Sequence, residues 1–234
     1  MKKIDFNRNW TCRCLTRDEE PYSVTLPHDA MRSEPRTEES VSEGNSGWYL
    51  GGDYEYTKHV FVPSEYSGKK VLIDGHRGNL DFVPENTMDS FRSAVGLGVD
   101  AVETDIHLSS DNALVLIHDH TVDRTTDGTG LVREKTFEEL EALNAGTAEH
   151  PAKIPTLREF LEYCAGVPEL IVILEVKVYK NDEGAEKVAY AVDETVKLCE
   201  ELGLCGRVIF NSFDAYVLEY IYKTYGRKYP LHGY

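Results

Sequence analysis

The stretch VLIDGHRGNLDFVPENTMDSFRSAVGLGVDAVETDIH, Val71–His107, decides the fold class. It opens on a short apolar run, Leu72–His76, that reads as a strand. Thr87–Leu97 then places Met88, Phe91, Ala94 and Val95 on one helical face and stops at Gly98. Asp100–His107 is a second strand. Strand, loop, helix, strand is the unit of a parallel sheet covered by helices.

The same rhythm continues toward residue 234. Ala113–His118 (ALVLIH) reads as a third strand, Leu170–Lys177 (LIVILEVK) as a fourth, Arg207–Ser212 as a fifth, and Tyr229–Tyr234 as the start of a sixth. Thr136-x-x-Glu139 and Thr156-x-x-Glu159 are capping boxes ahead of helical stretches. Residues 184–202 carry Ala185, Val188, Val192, Val196, Cys199 and Leu202 at helical spacing, and Asp214 caps a helix through Thr224. Nearly continuous apolar strands are those of a sheet buried on both faces.

Residues 1–71 read differently. Tyr22–Leu26 and Tyr54–Val62 are strand-like pieces, the second with a period of two up to Pro63. Between them the polar run RSEPRTEESVSEGNS, Arg32–Ser46, predicts a loop. The expected organisation is therefore a β-rich segment, 1–71, followed by an α/β domain, 72–234.

Composition excludes several functions. The chain has 234 residues and a formal charge of -16, which disfavours a phosphate-backbone partner, so no nucleic-acid binding is expected. No apolar run approaches the ~20 residues of a membrane-spanning helix. The N-terminus, MKKIDFNRNW, has no apolar core of signal-peptide length and no small-residue cleavage site, so the expected location is cytoplasmic. Cys12, Cys14, Cys164, Cys199 and Cys205 match no zinc spacing and are read as reduced and non-functional.

Polar residues gather where the strands end: His76-Arg77-Gly78, Glu103-x-Asp105, His118-Asp119, Glu175-x-Lys177 and Asn211-Ser212. Residues i and i+2 of a strand share a face, which pairs Glu103 with Asp105 and Glu175 with Lys177. In a parallel β/α barrel these ends converge on one mouth. Three crowded carboxylates need a cation, and all-oxygen ligation favours Mg²⁺ or Ca²⁺ over Zn²⁺. Arg77 and Lys177 beside it make an anion site, and two histidines can move protons. Metal, anion clamp and two proton-transfer groups together describe phosphodiester cleavage. Singly, each motif has a plainer explanation: a turn, a solvated edge, a core histidine, an isolated ion pair. Jointly, that explanation needs the same accident at four successive strand ends.

GHRGNLDFVPENTMDSF, GVDAVETDIHLSSDNALVLIHDHTVDRTTDGTG, IPTLREFL and LEVK together resemble the glycerophosphodiester phosphodiesterase family, from about Gly75 to Lys177 and more weakly to Asn211–Asp214. The resemblance implies a (β/α)₈ TIM barrel and metal-dependent hydrolysis of a small glycerophosphodiester to glycerol 3-phosphate and an alcohol. It implies His76 and His118 as the catalytic acid/base pair, Glu103, Asp105 and Glu175 as metal ligands, and Arg77 and Lys177 as phosphate contacts. It also implies attack on phosphorus by the neighbouring glycerol hydroxyl, giving a cyclic phosphate that water opens. Glu85-Asn86 is read as loop structure and helix cap.

The N-terminal GWYLGGDYEYTKHVFVPSEYSGKKVLI, with VTLPHDAM before it, resembles the opening of the sugar-binding jelly-roll domain of family 2 glycoside hydrolases; Gly51-Gly52-Asp53 is read there as loop. Residues 72–234 number 163, against about 250 for a typical (β/α)₈ barrel. The expectation is thus a partial barrel of about six strands behind a partial β-sandwich, joined near Val71–Gly75 as in a chimera. Two other functions compete with the phosphodiesterase: a carbohydrate-binding fragment, and a non-catalytic truncated product.

Overall fold

The two kinds of sequence give two kinds of sheet. The structure, a computed structural model, describes residues 8–17, 19–25, 30, 37, 54–59, 64, 72–79, 83–148 and 150–233. The chain divides into two compact units, Met1–Lys70 and Val71–Tyr234.

In the first unit β1 (Trp10–Cys14), β2 (Tyr22–Val24) and β3 (Tyr54–Thr57) form an antiparallel sheet in the order β2-β1-β3. β1 has no counterpart in the sequence reading. Its period shows in Cys12 and Cys14, which share a face and are both buried, so the C-x-C spacing is a strand's inner face. Residues 60–62 of the expected second strand, Gly51-Gly52-Asp53 and nearly all of the Arg32–Ser46 run lie outside the described residues.

The second unit is built on β4 (Asp74–His76), α1 (Met88–Gly96), β5 (Ala101–Leu108), β6 (Leu114–Leu116), α2 (Phe137–Glu141), α3 (Leu157–Ala165), β7 (Ile171–Val176), α4 (Lys180–Glu183), α5 (Ala185–Glu201), β8 (Val208–Ser212), α6 (Ala215–Tyr225) and β9 (Leu231–Gly233). Strands β4, β5, β7, β8 and β9 are parallel and lie in chain order. Each new strand adds beside the last, with no reversal of order at a switch point.

β6 departs from the sequence reading. ALVLIH was expected as a third strand of the parallel set. Instead Leu114–Leu116 turns back antiparallel on β5, with Ile106 opposite Leu116 and Leu108 opposite Leu114. The connection Ser109–Ala113 is too short for a parallel crossover, which needs a dozen residues or more. Apolar content alone did not separate a hairpin arm from a barrel strand.

Local signals fix the helices. Thr87 caps α1 in a reciprocal pair with Ser90, Thr136 caps α2 in a capping box with Glu139, Thr156 accepts from the Glu159 N–H, and Asp214 caps α6 through Tyr216 N–H. Val102 and Ile106 of β5, Val172, Leu174 and Val176 of β7, and Val208 and Phe210 of β8 pack with α1, α3, α5 and α6 in one core. Phe91 of α1 meets Phe160 of α3 with ring centroids 4.4 Å apart. The odd-numbered residues of β5, β7 and β8 take the opposite face. No helix among the described residues is long and apolar enough to cross a membrane.

The loop after β4 depends on Gly78. Its φ is +85°, and a Cβ there would overlap Ser90 Oγ and lie 2.6 Å from the Ser90 carbonyl carbon. Gly78→Ala should therefore destabilise the chain by about 2–5 kcal/mol, adding left-handed strain to overpacking. Phe160→Ala should cost about 3–5 kcal/mol by opening a cavity. Urea unfolding of both variants checks the two values.

Candidate active site and metal centre

Register, before any loop, assembles the centre of the site. Asp105 of β5 lies opposite Glu175 of β7, and Glu175 opposite Asn211 of β8. Glu103, one step below Asp105 on the same face, lies opposite His76 of β4. Glu103, Asp105 and Glu175 are all buried, and each offers one oxygen within 4.8 Å of the others.

Burial works against charge here, and the neighbours add to it. Desolvation first, then the charges of Asp105, Asp74 and Glu175, push the Glu103 carboxyl up to about 9. Glu103 Oε2 accepts from the Arg77 backbone N–H at 3.1 Å and lies 3.7 Å from His76 Nε2. Glu103 Oε1 is buried and has no hydrogen-bond partner among the described residues. A divalent cation fits this cradle: the donors are all oxygen, they converge, and one of them lacks a proton donor.

Other side chains offset the crowding. Asn86 Nδ2 donates to Asp105 Oδ2 at 2.9 Å, while the Thr104 hydroxyl donates to Asn86 Oδ1 at 2.8 Å. Asn211 Nδ2 donates to Glu175 Oε2 at 2.9 Å. Lys177 Nζ lies 3.2 Å from Asp105 Oδ1 and pairs with Glu175 Oε1. Burial disfavours its ammonium, but the two carboxylates outweigh burial and hold its pKa above the ordinary lysine value. Arg77, at φ 57°, sends Nε to within 3.5 Å of Asp105 Oδ2 and Nη1 to 3.3 Å from Glu85 Oε1.

His118 arrives by the hairpin. Carbonyls alternate between the two edges of a strand. The Glu103 carbonyl accepts from Arg77 N–H and the Asp105 carbonyl from Ile117 N–H, so β4 and the returning chain use the same edge of β5. That path carries His118 down toward the β4 loop. Its Nδ1 meets Asp119 Oδ1 at 2.6 Å. Beneath its backbone, the buried His107 ring places Nε2 3.3 Å from the His118 carbonyl. Burial first, then His120, push His107 down to about 3, so it is neutral at pH 7 and donates to that carbonyl.

Of the residues singled out in the sequence, Glu103, Asp105, Glu175, Lys177, Arg77 and His76 are thus gathered directly. His118 joins through Asp119, whose carboxylate accepts from Arg124, which also donates to Glu85, the partner of Arg77. Glu85-Asn86 is not the cap of α1, which is Thr87. Asn86 enters the cluster itself, because its left-handed φ of 54° turns the amide onto Asp105. Asn211 was visible only as a polar residue ending a strand; lining up the parallel strands by register would have set it beside Glu175.

The centre has a measurable consequence. Ca²⁺ or Mg²⁺ should raise the melting temperature, by the equivalent of about 2.7 kcal/mol at a hundred times the Kd. With its carboxyl pushed up to about 9, Glu103 is protonated at pH 7 without metal, so Glu103→Gln keeps that neutral form and removes only the charge that a cation would draw out. The metal-free variant should then melt no lower than the parent, while the metal-induced rise shrinks or vanishes. Differential scanning calorimetry with and without chelator reads both.

Comparison with known proteins gives these geometries relatives. Residues 76–233 match the family model described as the Glycerophosphoryl diester phosphodiesterase family. A glycerophosphodiester phosphodiesterase of Caldanaerobacter subterraneus is 39% identical over 158 residues, covering 66% of this chain and 63% of that protein. A crystal structure of the Agrobacterium tumefaciens glycerophosphodiester phosphodiesterase superposes with a TM-score of 0.57 at 30% identity, covering 66% of this chain and 63% of that one. An Oleispira antarctica phosphodiesterase, solved in complex with the product sn-glycerol-3-phosphate, gives 0.60 at 27% identity, covering 70% and 64%. The chain therefore spans a little under two thirds of the length of each of these three relatives.

Proposed function

The chain belongs to the glycerophosphoryl diester phosphodiesterase family, and from that premise we propose that it hydrolyses a glycerophosphodiester to glycerol 3-phosphate and an alcohol. The observation that carries the reading is the convergence of Glu103, Asp105 and Glu175 on one buried point, with Arg77, Lys177 and His76 at its edge. The product held by the Oleispira relative supports the choice of fragment released.

Glu103, Asp105 and Glu175 would hold Mg²⁺ or Ca²⁺. When bound, the cation supplies positive charge against the non-bridging phosphate oxygens. Arg77 and Lys177 bring two further positive charges to the same place, with N–H donors suited to phosphate. We assign the attack to the neighbouring glycerol hydroxyl. One histidine takes the hydroxyl proton as its oxygen bonds to phosphorus. The other gives a proton to the alcohol oxygen as the bond from phosphorus to that oxygen breaks. Water then opens the cyclic phosphate, with the proton transfers reversed. His118 is built for such exchange: its Nδ1–H is committed to Asp119, which leaves Nε2 as the proton-carrying nitrogen.

In this reading the five parallel strands are five of the eight of a (β/α)₈ barrel. The antiparallel β2-β1-β3 sheet makes the N-terminal unit β-rich, and calorimetric titration of the full chain with a galactoside tests the jelly-roll reading of it; a flat titration removes that reading.

The main proposal predicts metal-dependent release of glycerol 3-phosphate from glycerophosphocholine, abolished by chelator. His76→Ala and His118→Ala should each lower kcat by about 10²–10⁴-fold with the fold retained. Absence of release by folded, metal-loaded protein would sink the proposal.

A further inference from the structure

We propose that Arg124 is a positioning residue for His118, acting through Asp119, and that it ties the loop carrying His118 to the loop after β4. The proposal rests on the reading of His118 as a proton-transfer group. Arg124 lies six residues beyond His118, and its guanidinium is divided between two carboxylates. Nε donates to Asp119 Oδ2 at 2.7 Å and Nη2 to Asp119 Oδ1 at 3.0 Å. Nη1 donates to Glu85 Oε2 at 3.0 Å and Nη2 to Glu85 Oε1 at 2.6 Å. Each carboxylate is thus gripped at both oxygens by one planar fork, a geometry that lysine cannot reproduce.

The grip continues in both directions. Asp119 Oδ1, already fixed by Nη2, takes Nδ1–H of His118 at 2.6 Å. An ionised carboxylate only accepts, so this bond selects the Nδ1–H form of the neutral ring and leaves Nε2 open. The hydrogen bonds from Arg124, ahead of the one from His118, hold Asp119 well below the usual carboxylate range, which keeps it ionised. On the other side Glu85 is also reached by Arg77 Nη1 at 3.3 Å. One half-exposed guanidinium therefore joins the proposed phosphate contact, Arg77, to the proposed proton carrier, His118.

Exposed ion pairs contribute little to stability. Slack in Asp119 would matter far more to His118, because a misplacement of about 1 Å can cost around 100-fold in rate. The two effects separate in experiment.

The full chain, loaded with Ca²⁺ and assayed on glycerophosphocholine, is compared with Arg124→Gln, Arg124→Lys, Asp119→Asn and the double variant Asp119→Asn/Arg124→Gln. Arg124→Gln should lower kcat by about 10–100-fold, with KM within about twofold and the melting temperature nearly unchanged. Arg124→Lys, should the glutamine variant fold poorly, keeps the charge and recovers part of the loss. The double variant should be no slower than Asp119→Asn alone, since both changes act on one path. ¹⁵N NMR of the imidazoles should show His118 protonated at Nδ1 in the parent and shifted toward the Nε2–H form in Arg124→Gln. An unchanged His118 spectrum, a rise in KM at constant kcat, or additive losses in the double variant would each overturn the proposal. If the parent shows no turnover, the hydrolase reading fails, and the His118 spectrum alone decides the role of Arg124.

Discussion

Buried, crowded carboxyl groups organise this molecule. Glu103, Asp105 and Glu175 stand within a few ångströms of one another in a place that water does not screen, and the surrounding polar structure answers that fact. Lys177, Arg77, Asn86 and Asn211 are turned onto the oxygens of Asp105 and Glu175. Even so, Glu103 is left with one oxygen that no N–H or O–H of the described residues reaches. A group of this kind destabilises the chain that carries it, a cost that a bound cation would offset. The outer face of the same strands carries the opposing balance, an apolar core shared with four helices.

Much of this was legible in the sequence, and the failures share a cause. Rules of period placed β5, β7 and β8 within a residue or two, and put Glu103 with Asp105 on one face. Caps at Thr136, Thr156 and Asp214 were equally plain. What period cannot give is a partner. ALVLIH has the composition of a barrel strand, and only the short connection before it betrayed the hairpin. Asn86 looked like a cap because nothing local says that its backbone turns left-handed. Asp119 and Arg124 were part of a motif, yet their meaning lies in Glu85, 39 residues from Arg124 along the chain. Information about long-range pairing is absent from any window short enough to read by eye.

The site has two tiers of different stiffness. Its floor is made of strand residues, locked by backbone ladders and by the core behind them. Its rim is made of loop residues held by ion pairs that water can reach. In the proposed reaction that division would let the floor set where a phosphate sits and the rim set how a ring nitrogen meets it.

The row Asp105, Glu175, Asn211, His232 runs level across four neighbouring strands. Its level nature has an evolutionary corollary. Adding or deleting a single codon within any of these strands would rotate every following side chain of that strand to the other face, because the side-chain period is two. A cluster residue would enter the apolar layer and an apolar one would enter the cluster. Gains and losses of length among descendants of this gene should therefore be confined to the turns between elements, while the spacing from Glu103 to Ile106, from Ile173 to Val176 and from Ile209 to Ser212 stays constant. The reading frame of each strand is, in effect, the coordinate system in which the chemistry is written.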